Sequence, residues 1–298
     1  MGVGMARARD SLKRTALATA VASMLALAPV AAGQSFAEQA PAQPTAAQPA
    51  APAAEAPAEQ AAAEPAGVHP MSAQCSVPTA EIAAPAPLNA TIDRLETNQP
   101  LRILAIGSSS TWGVGATSRR KNYPSQLESM LERVLKTVPI EVVNRGVSGE
   151  TAETTADRLR IEAALLKPDL VLWQVGTNDA VQRVSVENFE RTVKNTVAML
   201  RKKKIDVVLV GLQYTPKYAR DDHYFAIRES LKRIAAENNV LYVRRYQAME
   251  YIHKTKANLQ MMADDDFHLN DLGYQCMAEH ITQAMTANLF VRRRKPAS

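Results

Sequence analysis

Between about residues 99 and 290 the chain alternates between two patterns. Short apolar runs at 101–106, 140–145, 170–176, 205–212 and 240–244 have the length and composition of buried strands. Between them, apolar residues return every three or four positions, the period of a helix with one buried face. Tyr123, Leu127, Met130, Leu131 and Val134 share such a face, with Pro124 suited to the first helical turn. A second helix spans roughly 152–166 and stops before Pro168. In a third, Val186, Phe189, Val193, Val197 and Leu200 follow a Ser185 N-cap. Its basic end, Arg201 to Lys204, suits a helix C-terminus and needs no binding role. Tyr224, Ile227, Leu231 and Ile234 mark a fourth, and the last runs from about Asp271 to Leu289. Met199, Met277, Met285 and Trp173 read as core. This alternation predicts an α/β fold: a single three-layer α/β/α domain with a five-stranded parallel sheet in the flavodoxin-like order 2-1-3-4-5.

The flanks differ in kind. Residues 1–32 have a basic start (Arg7, Arg9, Lys13 and Arg14) and an apolar stretch from Ala16 to Ala32 ending in small residues. That pattern predicts a cleaved signal peptide, and the run falls short of the ~20 residues a bilayer span requires. Stable membrane insertion is therefore not expected after cleavage, and a periplasmic or secreted location is. Residues 33–70 are rich in Ala, Pro, Gln and Glu, as in a disordered, semi-rigid linker. Residues 71–98, with Pro78, Pro85 and Pro87, read as an irregular N-terminal extension wrapping the domain at 99–290. Residues 291–298 read as a solvated basic tail.

The formal charge of +5 comes from these ends: residues 1–32 contribute +3 and Arg292 to Lys295 contribute +4. The body is left slightly acidic, which argues against a nucleic-acid groove. The two cysteines, Cys75 and Cys276, are too far apart in sequence to suggest a metal site. In an oxidising compartment they can form one disulfide; the alternative is a buried Cys276 and a free Cys75.

Candidate chemistry gathers at the strand ends. Gly107-Ser108-Ser109-Ser110-Thr111-Trp112-Gly113 follows the first strand, and Gly146-Val147-Ser148-Gly149-Glu150-Thr151 the second. Gly176-Thr177-Asn178-Asp179 follows the third, and Asp265-Asp266-Phe267-His268 precedes the last helix. All four should open on one edge of the sheet, where such folds place their ligands. Acyl transfer requires a hydroxyl, a base to take its proton, a carboxylate to orient the base, and donors for the developing oxyanion. A serine of the first block, His268, Asp265, and the N–H groups of Ser109 and Gly149 with the Asn178 amide meet that list. His69, His223, His253 and His280 lack a comparable setting. The run Asp264 to Asp266 lacks the spaced oxygen ligands of a calcium loop.

These four blocks, in this order, resemble the SGNH/GDSL hydrolase superfamily over about residues 100–290. The resemblance implies Ser109 as nucleophile, Asp265 and His268 as orienter and base, and Ser109, Gly149 and Asn178 as the oxyanion hole. It implies no metal or organic cofactor. The chain departs from the family at Ser108, where Asp is usual, and at Ser110, where an aliphatic residue is usual. Ser108 and Ser110 therefore remain alternative nucleophiles. Tyr214, within Gln213-Tyr214-Thr215-Pro216, falls where the family has a variable substrate-side loop. Trp112 is a candidate sugar-stacking residue at the cleft mouth, with packing over the turn as the alternative reading.

The expected activity is that of an exported serine esterase acting on O-acyl groups, above all O-acetyl groups, of cell-envelope polysaccharide or small esters. The alternatives are a lysophospholipase- or thioesterase-type lipid hydrolase and a non-catalytic polysaccharide-binding module. A nucleotide-binding fold is disfavoured, because Gly107, Gly113 and Gly115 fit neither the dinucleotide fingerprint nor the phosphate loop.

Overall fold

The computed structural model describes residues 71–293, with side-chain surroundings through Leu289. The expected signal peptide and linker, and residues 294–298 of the expected tail, lie outside the described residues. Strand β1 (Ala83–Ala84) and helix α1 (Asn89–Glu96) precede β2 (Leu101–Gly107), α2 (Ser109–Trp112), α3 (Tyr123–Val134) and β3 (Ile140–Gly146). Then come α4 (Ala152–Leu166), β4 (Leu170–Gln174), α5 (Thr177–Val181), α6 (Val186–Lys202) and β5 (Asp206–Val210). The series closes with α7 (Asp222–Glu237), β6 (Leu241–Val243), α8 (Arg245–Thr255) and α9 (Asp271–Arg293).

The sheet order is β1-β6-β5-β4-β2-β3. Its five parallel strands follow the expected 2-1-3-4-5 order, with in-register pairing from Leu101↔Ile140 to Gly107↔Gly146 across β2 and β3. Every residue of β4 is buried, as helices on both faces of a parallel sheet require. Helix α3 packs against α9, while α4, α6 and α7 form a separate consecutive group.

The structure corrects the expectation in three places. The sheet has six strands and is mixed, because β1 pairs antiparallel with β6 through Ala83↔Val243 and Ala84↔Tyr242. The added strand covers what would otherwise be an open sheet edge. The 71–98 extension is also partly regular. In α1, the Thr91 N–H and hydroxyl both donate to Asp206 Oδ2, at 2.8 and 2.9 Å, and Arg94 pairs with Asp169 at 2.7 Å. Cys75 and Cys276 form a disulfide joining this segment to α9. Ser72, through its N–H and hydroxyl, donates to Glu279 nearby. Helix α9 continues through Arg293, so the first three residues of the expected basic tail are helical.

Candidate active site

The parallel register brings the carboxyl ends of β2, β3 and β4 side by side. Strand β2 ends at Gly107, where a Cβ would lie 2.5 Å from the Gln174 carbonyl oxygen and 2.7 Å from Thr111 Oγ1. Glycine is required by that approach and by a φ of +153°. Beyond it the three serines diverge. Ser108 donates through both N–H and hydroxyl to Gln174 Oε1, each at 3.0 Å, and is buried. Ser110, also buried, accepts from Arg245 Nη2 at 3.1 Å. Ser109 Oγ lies 3.0 Å from His268 Nε2. The geometry therefore favours Ser109 over the two alternatives, and Gln174 anchors the serine that stands in place of the family's Asp.

His268 and Asp265 come from one short loop. Asp265 Oδ1 accepts the N–H groups of Phe267 and His268 at 3.0 and 2.8 Å, folding the carboxylate back over the loop. Its Oδ2 lies 2.5 Å from His268 Nδ1. The hydrogen bond at Nδ1 leaves Nε2 to accept from the serine hydroxyl. Partial burial alone would raise the Asp265 pKa, but hydrogen bonds from the His268 ring and from both N–H groups outweigh it and bring it to about 2. The carboxylate is thus ionised throughout the neutral range. Gln213 holds the loop from behind, donating to the Phe267 carbonyl at 2.7 Å.

The expected oxyanion donors lie on neighbouring turns. Gly149 has a φ of +85° and open space where a Cβ would stand, so its backbone conformation, rather than crowding, favours glycine. Asn178 Nδ2 donates to the Glu150 carbonyl at 2.8 Å, which orients the amide and leaves it a second hydrogen. Gln182 Nε2 donates to the Gly149 carbonyl at 3.1 Å. Asp179 accepts the Ala152 N–H at 2.9 Å, so the block after β4 is tied to the start of α4. Burial pushes the Asp179 carboxyl up to about 6 despite backbone hydrogen bonds that favour its charge. Glu150 is gripped by Arg158 at 2.6 and 2.7 Å and by Thr155 at 3.1 Å.

Trp112 is half exposed beneath the Arg119 guanidinium, 4.9 Å from its ring centre, so it does not form a buried cover over the turn. Tyr214 is nearly buried, its ring 5.3 Å from Tyr246 and 5.2 Å from His253. It lines a cleft of about 910 Å³ with Tyr218, Phe267 and Asp265. His280 is buried and bonded to the Cys75 carbonyl at 2.7 Å, beside the disulfide. Among the described residues, no group of three or more His, Cys, Asp or Glu is placed to hold a metal ion.

Three supporting residues escaped the sequence reading. Gln174 carries a weak signal, a polar residue within the otherwise apolar run 170–176. Gln213 was visible only as part of a loop. Arg245 had no signal, since an arginine outside a motif reads as surface.

The model of the non-GDSL lipase-like family matches residues 74–289. The chain belongs to this family. Its place among the SGNH/GDSL-like hydrolases agrees with the resemblance of the four blocks. It is 25% identical over 150 residues to an acetylxylan esterase of Geobacillus stearothermophilus, a match covering 45% of this chain and 67% of that protein. It is 23% identical over 191 residues to an arylesterase of Vibrio mimicus, covering 63% and 90% respectively. In fold it is similar to a two-domain esterase active on acetylated mannans, with TM-score 0.62 and 21% identity. That match covers 72% of this chain and spans 58% of the two-domain protein. The family is lipase-like and both curated relatives are named esterases, which places this chain among the carboxylic ester hydrolases.

Proposed function

We propose that this member of the family is an exported serine esterase that removes O-acetyl groups from carbohydrate by way of an acyl-enzyme. The observation that carries the reading is the continuous Ser109–His268–Asp265 hydrogen-bond chain, with spacings of 3.0 and 2.5 Å. Ser109 Oγ attacks the ester carbonyl as His268 Nε2 takes its proton, and Asp265 stabilises the imidazolium. The oxyanion is received by the N–H groups of Ser109 and Gly149 and by the Asn178 amide. Collapse of the tetrahedral adduct expels the alcohol, which leaves with the proton from His268. Water, deprotonated by His268, then releases acetate and restores Ser109.

The acetyl preference is supported by the acetyl esterases among the relatives. The carbohydrate assignment is supported by the cleft beside Asp265, where Tyr214, Tyr218, Phe267, His253, Gln260 and Lys217 combine aromatic faces with polar groups. Export is supported by the disulfide, which is characteristic of oxidising compartments.

The test compares the purified protein with Ser109→Ala on aryl acetate, butyrate and octanoate and on acetylated xylan at neutral pH. Acetate release from the polysaccharide and the aryl ester is expected, falling at least about 10³-fold in the variant. A preference for octanoate would move the substrate to lipids. No turnover by either protein would favour a binding module, and equal turnover by both would remove Ser109 as nucleophile.

A further inference from the structure

Arg245 opens α8 and is buried, with 2% of its surface exposed. A guanidinium keeps its charge, so its removal from water carries a large desolvation cost unless it is paired. Here it makes no ion pair among the described residues. Its Nη2 donates to Ser110 Oγ at 3.1 Å and to Gln213 Oε1 at 2.9 Å, while Nε and Nη1 have no hydrogen-bond partner among the described residues. Burial lowers its pKa from the ordinary value, although the nearby phenols of Tyr274, Tyr224 and Tyr123 favour the charge. A cation in such a place does not serve stability well.

Its two acceptors belong to opposite halves of the site. Ser110 directly follows Ser109. Gln213 donates to the carbonyl of Phe267, the residue before His268, at 2.7 Å. Gln213 is itself held through its carbonyl, which accepts the Tyr224 hydroxyl at 2.6 Å. The series Ser110–Arg245–Gln213–Phe267 is thus a second link between the nucleophile turn and the base loop. It is separate from the Ser109–His268 bond and runs through the protein interior.

We propose that Arg245 is a positioning residue that sets the separation of Ser109 and His268 by fastening both loops from the interior side, at the expense of fold stability. The proposal rests on the catalytic reading of Ser109 and His268. It adds that a residue without a reacting role controls their alignment, for which errors of 1 Å cost about 10²-fold in rate.

The test measures aryl acetate kinetics and thermal unfolding for the wild type, Ser109→Ala, Arg245→Met, Arg245→Lys, Gln213→Ala and the Arg245→Met/Gln213→Ala double variant. Arg245→Met is expected to lower kcat about 10- to 100-fold. KM should stay within about twofold. Its Tm should equal or exceed that of the wild type, because an unpaired buried charge has been replaced by an apolar side chain. Arg245→Lys keeps a charged donor and should recover at least about threefold of the lost kcat. Gln213→Ala breaks the same link at its other end, so the double variant should lose less than the product of the two single effects.

Wild-type kcat in Arg245→Met, with Ser109→Ala inactive, would overturn the proposal and leave the catalytic reading intact. So would parallel loss of activity and Tm in Arg245→Met with no recovery by lysine. If Arg245→Met does not fold, Gln213→Ala decides, and full kcat there would overturn the proposal. Activity retained in Ser109→Ala would remove both the catalytic reading and the proposal.

Discussion

Asp179 is a buried carboxylate whose ionisation works against the fold, and Asp179→Asn should reveal it as a pH-dependent gain in stability. Its Oδ1 accepts the Ala152 N–H at 2.9 Å, while Oδ2 has no hydrogen-bond partner among the described residues. Asparagine can keep the first contact while removing the charge. Burial raises the native pKa from 3.8 to about 6, against the backbone hydrogen bonds of Ala152, Asp179 and Gly176. A folded value above the unfolded one means that the native state binds the proton more tightly. The stabilising contribution is therefore fully present below about pH 4 and is lost as pH rises through about 6. The difference corresponds to about 3 kcal/mol once both states are ionised. Urea unfolding of both proteins at intervals from pH 3.5 to 8 gives the free-energy difference, in which the other titrating groups cancel. The variant should gain about 3 kcal/mol relative to the wild type across that range, most of it between pH 4 and 6. A difference independent of pH would refute the reasoning, as would one growing toward acid.

Asn178→Ala should lower kcat for aryl acetate about 10²- to 10³-fold, with KM little changed, because an oxyanion donor acts in the transition state. Unchanged kcat would remove the Asn178 amide from that role. The Cys75–Cys276 bridge spans a sequence separation of 201, so its removal in Cys75→Ala/Cys276→Ala should destabilise the protein by up to about 5 kcal/mol in urea unfolding. Equal unfolding free energies for the variant and the wild type would show that the bridge contributes nothing measurable.

Much of the parallel sheet was legible in the chain because its cause is local. Runs such as Leu170 to Trp173 are buried on both faces and so are continuously apolar, while the helices between them keep one apolar stripe. The three strand-end blocks and the Asp265–His268 loop were legible for a related reason: each is a tight turn, and tight turns are written in Gly, Ser, Asn and Asp. What escaped depends on partners distant in sequence. Strand β1 is two alanines, too short for any period, and exists because β6 offers an edge. Helix α1 is held by Asp206 and Asp169, and α8 hides a charged residue at its first position. Nor did Ser108, Ser109 and Ser110 differ in sequence by anything but position. Their separate fates were set by Gln174, His268 and Arg245, which folding brings from 66, 159 and 135 residues away. Residue type and periodicity are properties of a segment. The burial of a charge and the partner of a hydroxyl are properties of whatever the fold packs against it.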